Sequence, residues 1–164
     1  MTSDELDMHR SKIEIKIDDL ADGEIKRLLS AHFSLMHKYS PSEHIHALDP
    51  NSLSEEFMTF FSATINGELA GCGALKELDH EHAEVKSMKT SMAYLRKGFA
   101  SEILSRILQV AQTREYLKIS LETGSSDAFL PARKLYEQFG FKQCGPFGDY
   151  VLNPYSTYYE KHLS

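Results

Sequence analysis

The hydrophobic positions along the chain switch between two periods. IEIKI at 13–17 alternates strictly, as a half-buried strand does. After Asp22, a side chain suited to an N-cap, Ile25, Leu28, Leu29, His32 and Met36 recur at helical spacing and stop before the breaker YSPSE. Residues 41–56 lose the period, carry Pro41 and Pro50, and read as a long loop with a short helical piece near SEHIHAL. Long irregular segments inside compact domains tend to be functional. FMTFFSATI and ELAGCGALKEL are strand-like runs joined by Asn66-Gly67, the dipeptide best suited to a type I′ hairpin turn. A second turn, DHEH at 79–82, leads into AEVKSMKT and completes a three-stranded antiparallel meander.

The strongest periodic signal follows: Ala100, Ile103, Leu104, Ile107, Leu108 and Ala111 form one apolar helix stripe. In LKISLET, Leu117, Ile119 and Leu121 share one strand face, and Lys118, Ser120 and Glu122 the other. Strand, helix, strand in that order implies a right-handed parallel crossover. Pro131 suits the first turn of a second helix with apolar Ala132, Leu135, Tyr136 and Phe139, and Gly140 suits its end. FKQC and YSTYYEKHL, separated by GPFGDYVLNP, supply two closing strands. The order predicts an α+β (mixed α/β) fold, a six- to seven-stranded, mostly antiparallel sheet with one parallel pair and helices on both faces.

Length bounds this further: 164 residues suit one domain, read here as 12–164 behind a polar, aperiodic tail at 1–11. A net charge of -6 argues against broad binding to nucleic acid or an anionic membrane. No run of about 18 apolar residues suggests a membrane span, and the start MTSDELDMHRSK resembles neither a signal nor a transit peptide. The expectation is a cytoplasmic protein with Cys72 and Cys144 reduced and buried.

Any anion site must therefore be local. In LRKGFAS, a strand end passes through two cations and a glycine into a helix, so unpaired amides from Lys97 to Ser101 can face an anion that Gly98 lets approach closely. The spacing is neither a nucleoside-triphosphate P-loop nor a dinucleotide fingerprint. MKTSMAYLRKGFASEIL resembles motif A of the GCN5-related N-acetyltransferases (GNAT), and ARKLYEQFGF resembles their motif B, in the right order and separation. SPSEHIHAL and GPFGDY are also similar to a bacterial branch of that family whose substrates are mostly unassigned.

The resemblance implies a GNAT fold and transfer of an acetyl group from acetyl-CoA, the cosubstrate, to a primary amine by direct attack in a ternary complex. It implies that Met88, Lys89 and Thr90 hold the pantetheine arm, that Arg96, Lys97, Gly98, Phe99, Ala100 and Ser101 cradle the pyrophosphate, and that Phe129 and Arg133 also touch the cofactor. Glu84 matches the usual general base and Tyr136 the usual general acid. Acceptor-binding residues would be Glu43, His44 and His46, with Phe147, Asp149 and Tyr150. Two departures stand out: Leu95 replaces the motif's Gln or Arg, and Phe129 replaces an asparagine. Dimers are common in the family.

The chemistry suits those residue types. An ammonium must lose a proton before it attacks a thioester, which a carboxylate can accept. A tyrosine near pKa 10 donating fully to a thiolate near 8.5 works uphill by roughly 2 kcal/mol, so Tyr136 is at least a hydrogen-bond donor. Structural readings remain beside these. Glu84 and Lys86 share a strand face and read equally as a surface ion pair, and Tyr136 as a core aromatic. His44, His46 and DHEH lack the cysteines or carboxylates that would complete a metal site, so no metal is expected. The alternative function is a coenzyme A-binding sensor or interaction module without efficient catalysis.

Overall fold

The computed structural model describes residues 13–39 and 57–163, with the backbone alone over 32–39. Seven strands form one sheet: β1 (Ile13–Asp18), β2 (Met58–Ile65), β3 (Glu68–Asp79), β4 (His82–Thr90), β5 (Lys118–Gly124), β6 (Lys142–Cys144) and β7 (Ser156–His162). Their spatial order is β1-β2-β3-β4-β5-β7-β6. Every neighbouring pair is antiparallel except β4 and β5. The helices are α1 (Glu24–Tyr39), α2 (Phe99–Thr113) and α3 (Leu130–Gln138). Glu43, His44 and His46, and the short helical piece expected near them, lie outside the described residues.

Alternation along the strands sends successive side chains to two cores. Phe61, Ala63, Leu75, Val85, Ile119 and Leu121 pack with Ile103, Leu104, Ile107 and Ala111 of α2, while Tyr136 of α3 joins the same cluster. Phe60, Cys72 and Ala74 pack on the opposite face with Ile25 and Leu29 of α1. Each such buried aliphatic side chain contributes about 1.5–3 kcal/mol of transfer free energy. The fit of α2 against β3 is close: a Cβ on Gly73 would stand 2.6 Å from Met88 Sδ and 2.9 Å from both Ile103 Cγ2 and Ile107 Cδ1.

Two irregularities in β4 prepare the site. Opposite β3, Cys72 pairs with Lys89 and Ala74 with Lys86, so Ser87 and Met88 together face Gly73 in a β-bulge, with Ser87 at φ 57°. The Cys72 thiol donates to Ser87 O at 3.4 Å beneath that kink. Toward β5, the parallel ladder ends at Val85 against Leu121, and beyond it the strands part. A parallel pair that separates at one end exposes strand edges along the gap.

Four sequence expectations need correction. Leu117 is 54% exposed, because β5 begins only at Lys118. Its amide and carbonyl instead bond to Glu81 O and Leu163 N at 2.8 Å. Glu84 and Lys86 are no surface pair: their side chains are 4% and 10% exposed. Cys144 is only half-buried, although both thiols are free. Of DHEH, only His80 and Glu81 form the turn, since His82 opens β4 and bonds Ser120 Oγ at 2.7 Å.

Candidate active site

Where β4 and β5 part, a cleft of about 850 Å³ runs from the start of α2 to the buried end of the splay. Its upper end begins at a turn that only unusual backbone angles permit. Arg96 takes φ 63° and Gly98 φ 87°, a region that favours glycine. The first amide bonding back into α2 is Glu102 N, to Gly98 O at 3.2 Å, so the preceding amides lack helical partners. A Cβ on Gly98 would meet nothing within 4 Å, leaving the approach to those amides open. Arg96, Gly98, Phe99, Ala100 and Ser101 line the cleft. Lys97 does not; its Nζ lies 5.8 Å from the Tyr94 ring centroid.

Midway, Met88, Lys89 and Thr90 line one wall and Thr123, Gly124 and Phe129 the other. The Phe129 ring rests so closely on Gly124 that a Cβ there would fall 2.2 Å from Phe129 Cδ2. Arg133 stands behind this wall and donates from Nη1 to Gly124 O at 2.7 Å and Ser126 O at 2.9 Å. Its role in the structure is to tie the turn after β5 to α3. Leu95 also lines the cleft and is half exposed, so the position where motif A departs offers an apolar side chain.

The inner end is polar and enclosed. Glu84 is 3% exposed, and Tyr150 donates its hydroxyl proton to Glu84 Oε2 at 2.5 Å. Lys86 Nζ lies 3.0 Å from Tyr150 Oη and 3.4 Å from Glu84 Oε2. Tyr150 is held over the sheet by edge-on contacts to Phe147 at 4.9 Å and tilted packing on Tyr158 at 5.6 Å. Phe147 itself packs against His82 and stays off the cleft, whereas Asp149 is exposed. Burial, then the Glu84 charge and hydrogen bond, push the Tyr150 hydroxyl well above the tyrosine range.

Sequence reasoning missed Glu122, which lines this same end. Burial raises its carboxyl above the ordinary range, partly offset by the Ser156 hydroxyl donating to Oε2 at 2.7 Å and by Lys86, while Glu84 adds to the rise. The alternation of LKISLET had marked Glu122 as facing away from the Ile119 side, and that signal was correct. What it lacked was the cover over that second face. Tyr136 also lines the cleft from the other side of the splay. Its hydroxyl has no hydrogen-bond partner among the described residues, and burial, then the Glu122 charge, push it above the ordinary tyrosine range.

A mixed sheet splayed at its one parallel pair, with an anion-ready helix start at one end of the gap and buried carboxylates at the other, defines an acyltransferase class of site. The chain belongs to the acetyltransferase (GNAT) family, whose model matches residues 24–141. It is 50% identical to uncharacterized N-acetyltransferase YsnE of Bacillus subtilis, over 92% of this chain and 100% of that one. It is 47% identical to uncharacterized N-acetyltransferase YedL of Escherichia coli, over 88% and 91%. The fold is shared with a GNAT acetyltransferase from Staphylococcus aureus at 18% identity, TM-score 0.72, over 93% and 99% of the chains. It is shared also with a GNAT acetyltransferase from Elizabethkingia anophelis with acetyl-CoA bound, at 18% identity, TM-score 0.64, over the same shares. No group of three metal-ligating side chains occurs among the described residues, and none of their helices is long and apolar enough to cross a membrane.

Proposed function

We propose that the protein transfers an acetyl group from acetyl-coenzyme A to a primary amine by direct attack in a ternary complex. The observation that carries this reading is the continuity of one cleft from the α2 amides to the Glu84 and Tyr136 side chains. The anion-ready turn suits a pyrophosphate, with Gly98 to Ser101 giving backbone donors and Arg96 and Lys97 giving charge. Below it, the β4 edge from Lys86 to Thr90 has no strand partner on the β5 side, so its peptide groups can pair with the amides of a pantetheine arm as another strand would. Phe129 supplies an apolar contact to the same arm.

The bound thioester supplies an activated acyl carbon and a thiol leaving group. Glu84, at the buried end, takes the proton that the acceptor ammonium must lose, directly or through water. Tyr136 retains its proton at neutral pH and donates a hydrogen bond toward the leaving sulfur. Tyr150 walls the acceptor side with Phe147 packed behind it, and Glu43, His44 and His46 are assigned to acceptor binding as well. Direct attack is favoured because neither cysteine lines the cleft, and burial pushes the Cys72 thiol up to about 12.

Thiol release from acetyl-coenzyme A with a panel of primary amines tests the reading. The expected result is amine-dependent, saturable release with intersecting two-substrate kinetics. Glu84→Gln should lower kcat by roughly 10²–10⁴ while leaving coenzyme A affinity in place. Tight coenzyme A binding with no turnover on any amine would instead identify a binding module.

A further inference from the structure

Acetylation of an amine moves two protons off nitrogen: one leaves the ammonium before attack, and a second must leave as the amide forms. The departing sulfur needs one proton in return. Glu84 answers the first requirement in the reading above, and Tyr136 offers the sulfur a hydrogen bond without readily giving up its proton. A group able to carry the second proton from nitrogen to sulfur is still required.

We propose that Glu122 is a catalytic residue of the acyl transfer, its free carboxylate oxygen accepting the second amine proton and delivering it to the leaving sulfur. This rests on the acetyltransferase reading. Glu122 lines the cleft between the two groups already assigned, with Glu84 and Lys86 on β4 to one side and Tyr136 on α3 to the other. Its charge is felt at Tyr136, and it in turn feels Glu84 and Lys86. The register explains the placement. Glu84 pairs with Ser120, so Glu122 lies two residues further along β5 on the same face, just beyond the last paired position, where the splay has opened. Among the described residues the carboxylate accepts one hydrogen bond, from Ser156 to Oε2; Glu84 Oε2, by contrast, is already engaged by Tyr150 and Lys86.

The balance closes, with the first amine proton passing through Glu84 to solvent. The nitrogen–carbon bond forms and the carbon–sulfur bond breaks; the second N–H proton passes to Glu122 and then to sulfur, leaving Glu122 ionised for the next turnover. No oxidant, metal or further reactant is involved. Two carboxylates in one site with different surroundings divide the proton work as their environments dictate. A carboxyl raised above the ordinary range is a better carrier than a tyrosine raised above its own, because its protonated form gives up the proton more readily to a thiolate near 8.5.

Glu122 faces Glu84 and Lys86 from β4, Tyr136 from α3, Tyr150 from the segment before β7, and Ser156 and Tyr158 from β7. The carrier must be ionised to accept, so activity falls on the acid side through the Glu122 titration. With an amine that the wild type acetylates, Glu122→Gln is expected to lose 10²–10⁴-fold in kcat and to shift the acid limb. Acetyl-coenzyme A affinity by calorimetry should be unchanged. Ser156→Ala, which removes the donor that lowers the Glu122 titration, should move the acid limb to higher pH. Wild-type kcat and an unmoved acid limb in Glu122→Gln would overturn the assignment, as would an unmoved limb in Ser156→Ala. Absence of turnover by the wild type on every amine would instead overturn the underlying reading, and the role falls with it.

Discussion

At the scale of single residues, the cleft wall is set by one contact that tolerates no extra atom. The Phe129 ring occupies the space that a Cβ on residue 124 would need, and the neighbours cannot yield easily because Arg133 fixes the carbonyls of Gly124 and Ser126. Gly124→Ala should therefore displace the ring, destabilise the fold by about 1–3 kcal/mol through overpacking, and raise the acetyl-coenzyme A KM. Thermal unfolding and two-substrate kinetics read the two effects separately, and an unchanged KM would show that Phe129 does not touch the donor. The sequence could not signal this contact, since residues 124 and 129 are joined by an aperiodic turn. Glu84 and Lys86 illustrate a partial success: their shared face followed from strand alternation, but alternation is silent on whether that face meets water.

At the scale of elements, α2 was legible because its stripe of apolar residues must match the sheet, and Ile103, Leu104, Ile107 and Ala111 are all fully buried. The β4 bulge was not, since no residue type demands it. Its extra residue shifts the alternation, so that Val85 and Met88 both pack on the α2 side, Met88 over Gly73. The start of α2 lies between these cases. Its glycine was visible, and the positive φ confirms why glycine stands there, but the left-handed Arg96 was not foreseen. Gly98→Ala should cost about 1–2 kcal/mol of backbone strain if the turn is kept. The expected readout is a rise in coenzyme A Kd with kcat at saturation nearly unchanged. Equal loss in kcat would mean that the turn acts on chemistry and not on binding alone.

At the scale of the whole molecule, the sheet carries two faces of different kinds, and that division couples stability to chemistry. The α2 face carries the larger apolar cluster, whereas the face over β4, β5 and β7 buries Glu84, Ser120 and Ser156 under the segment bearing Phe147 and Tyr150. Nothing in the hydrophobic pattern announces a polar interior, because the residues that cover it are themselves aperiodic. Such an interior holds carboxylates that would be better solvated in the unfolded chain. Glu122 gives this a sign. Its folded-state titration lies above the unfolded value, so the folded protein binds more protons there, and stability is greatest below the ordinary glutamate range near 4.5 and declines as pH rises through the folded value. Replacing the carboxyl by an amide removes that decline while keeping an acceptor for Ser156. Glu122→Gln should therefore unfold at the same temperature as the wild type near pH 4 and at a higher temperature near pH 8, even as it loses turnover. Thermal unfolding of both ligand-free proteins across that range measures the difference directly. A variant less stable than the wild type at pH 8 would show that the carboxylate is a structural partner of the cluster, held there by its hydrogen bonds and not against its desolvation.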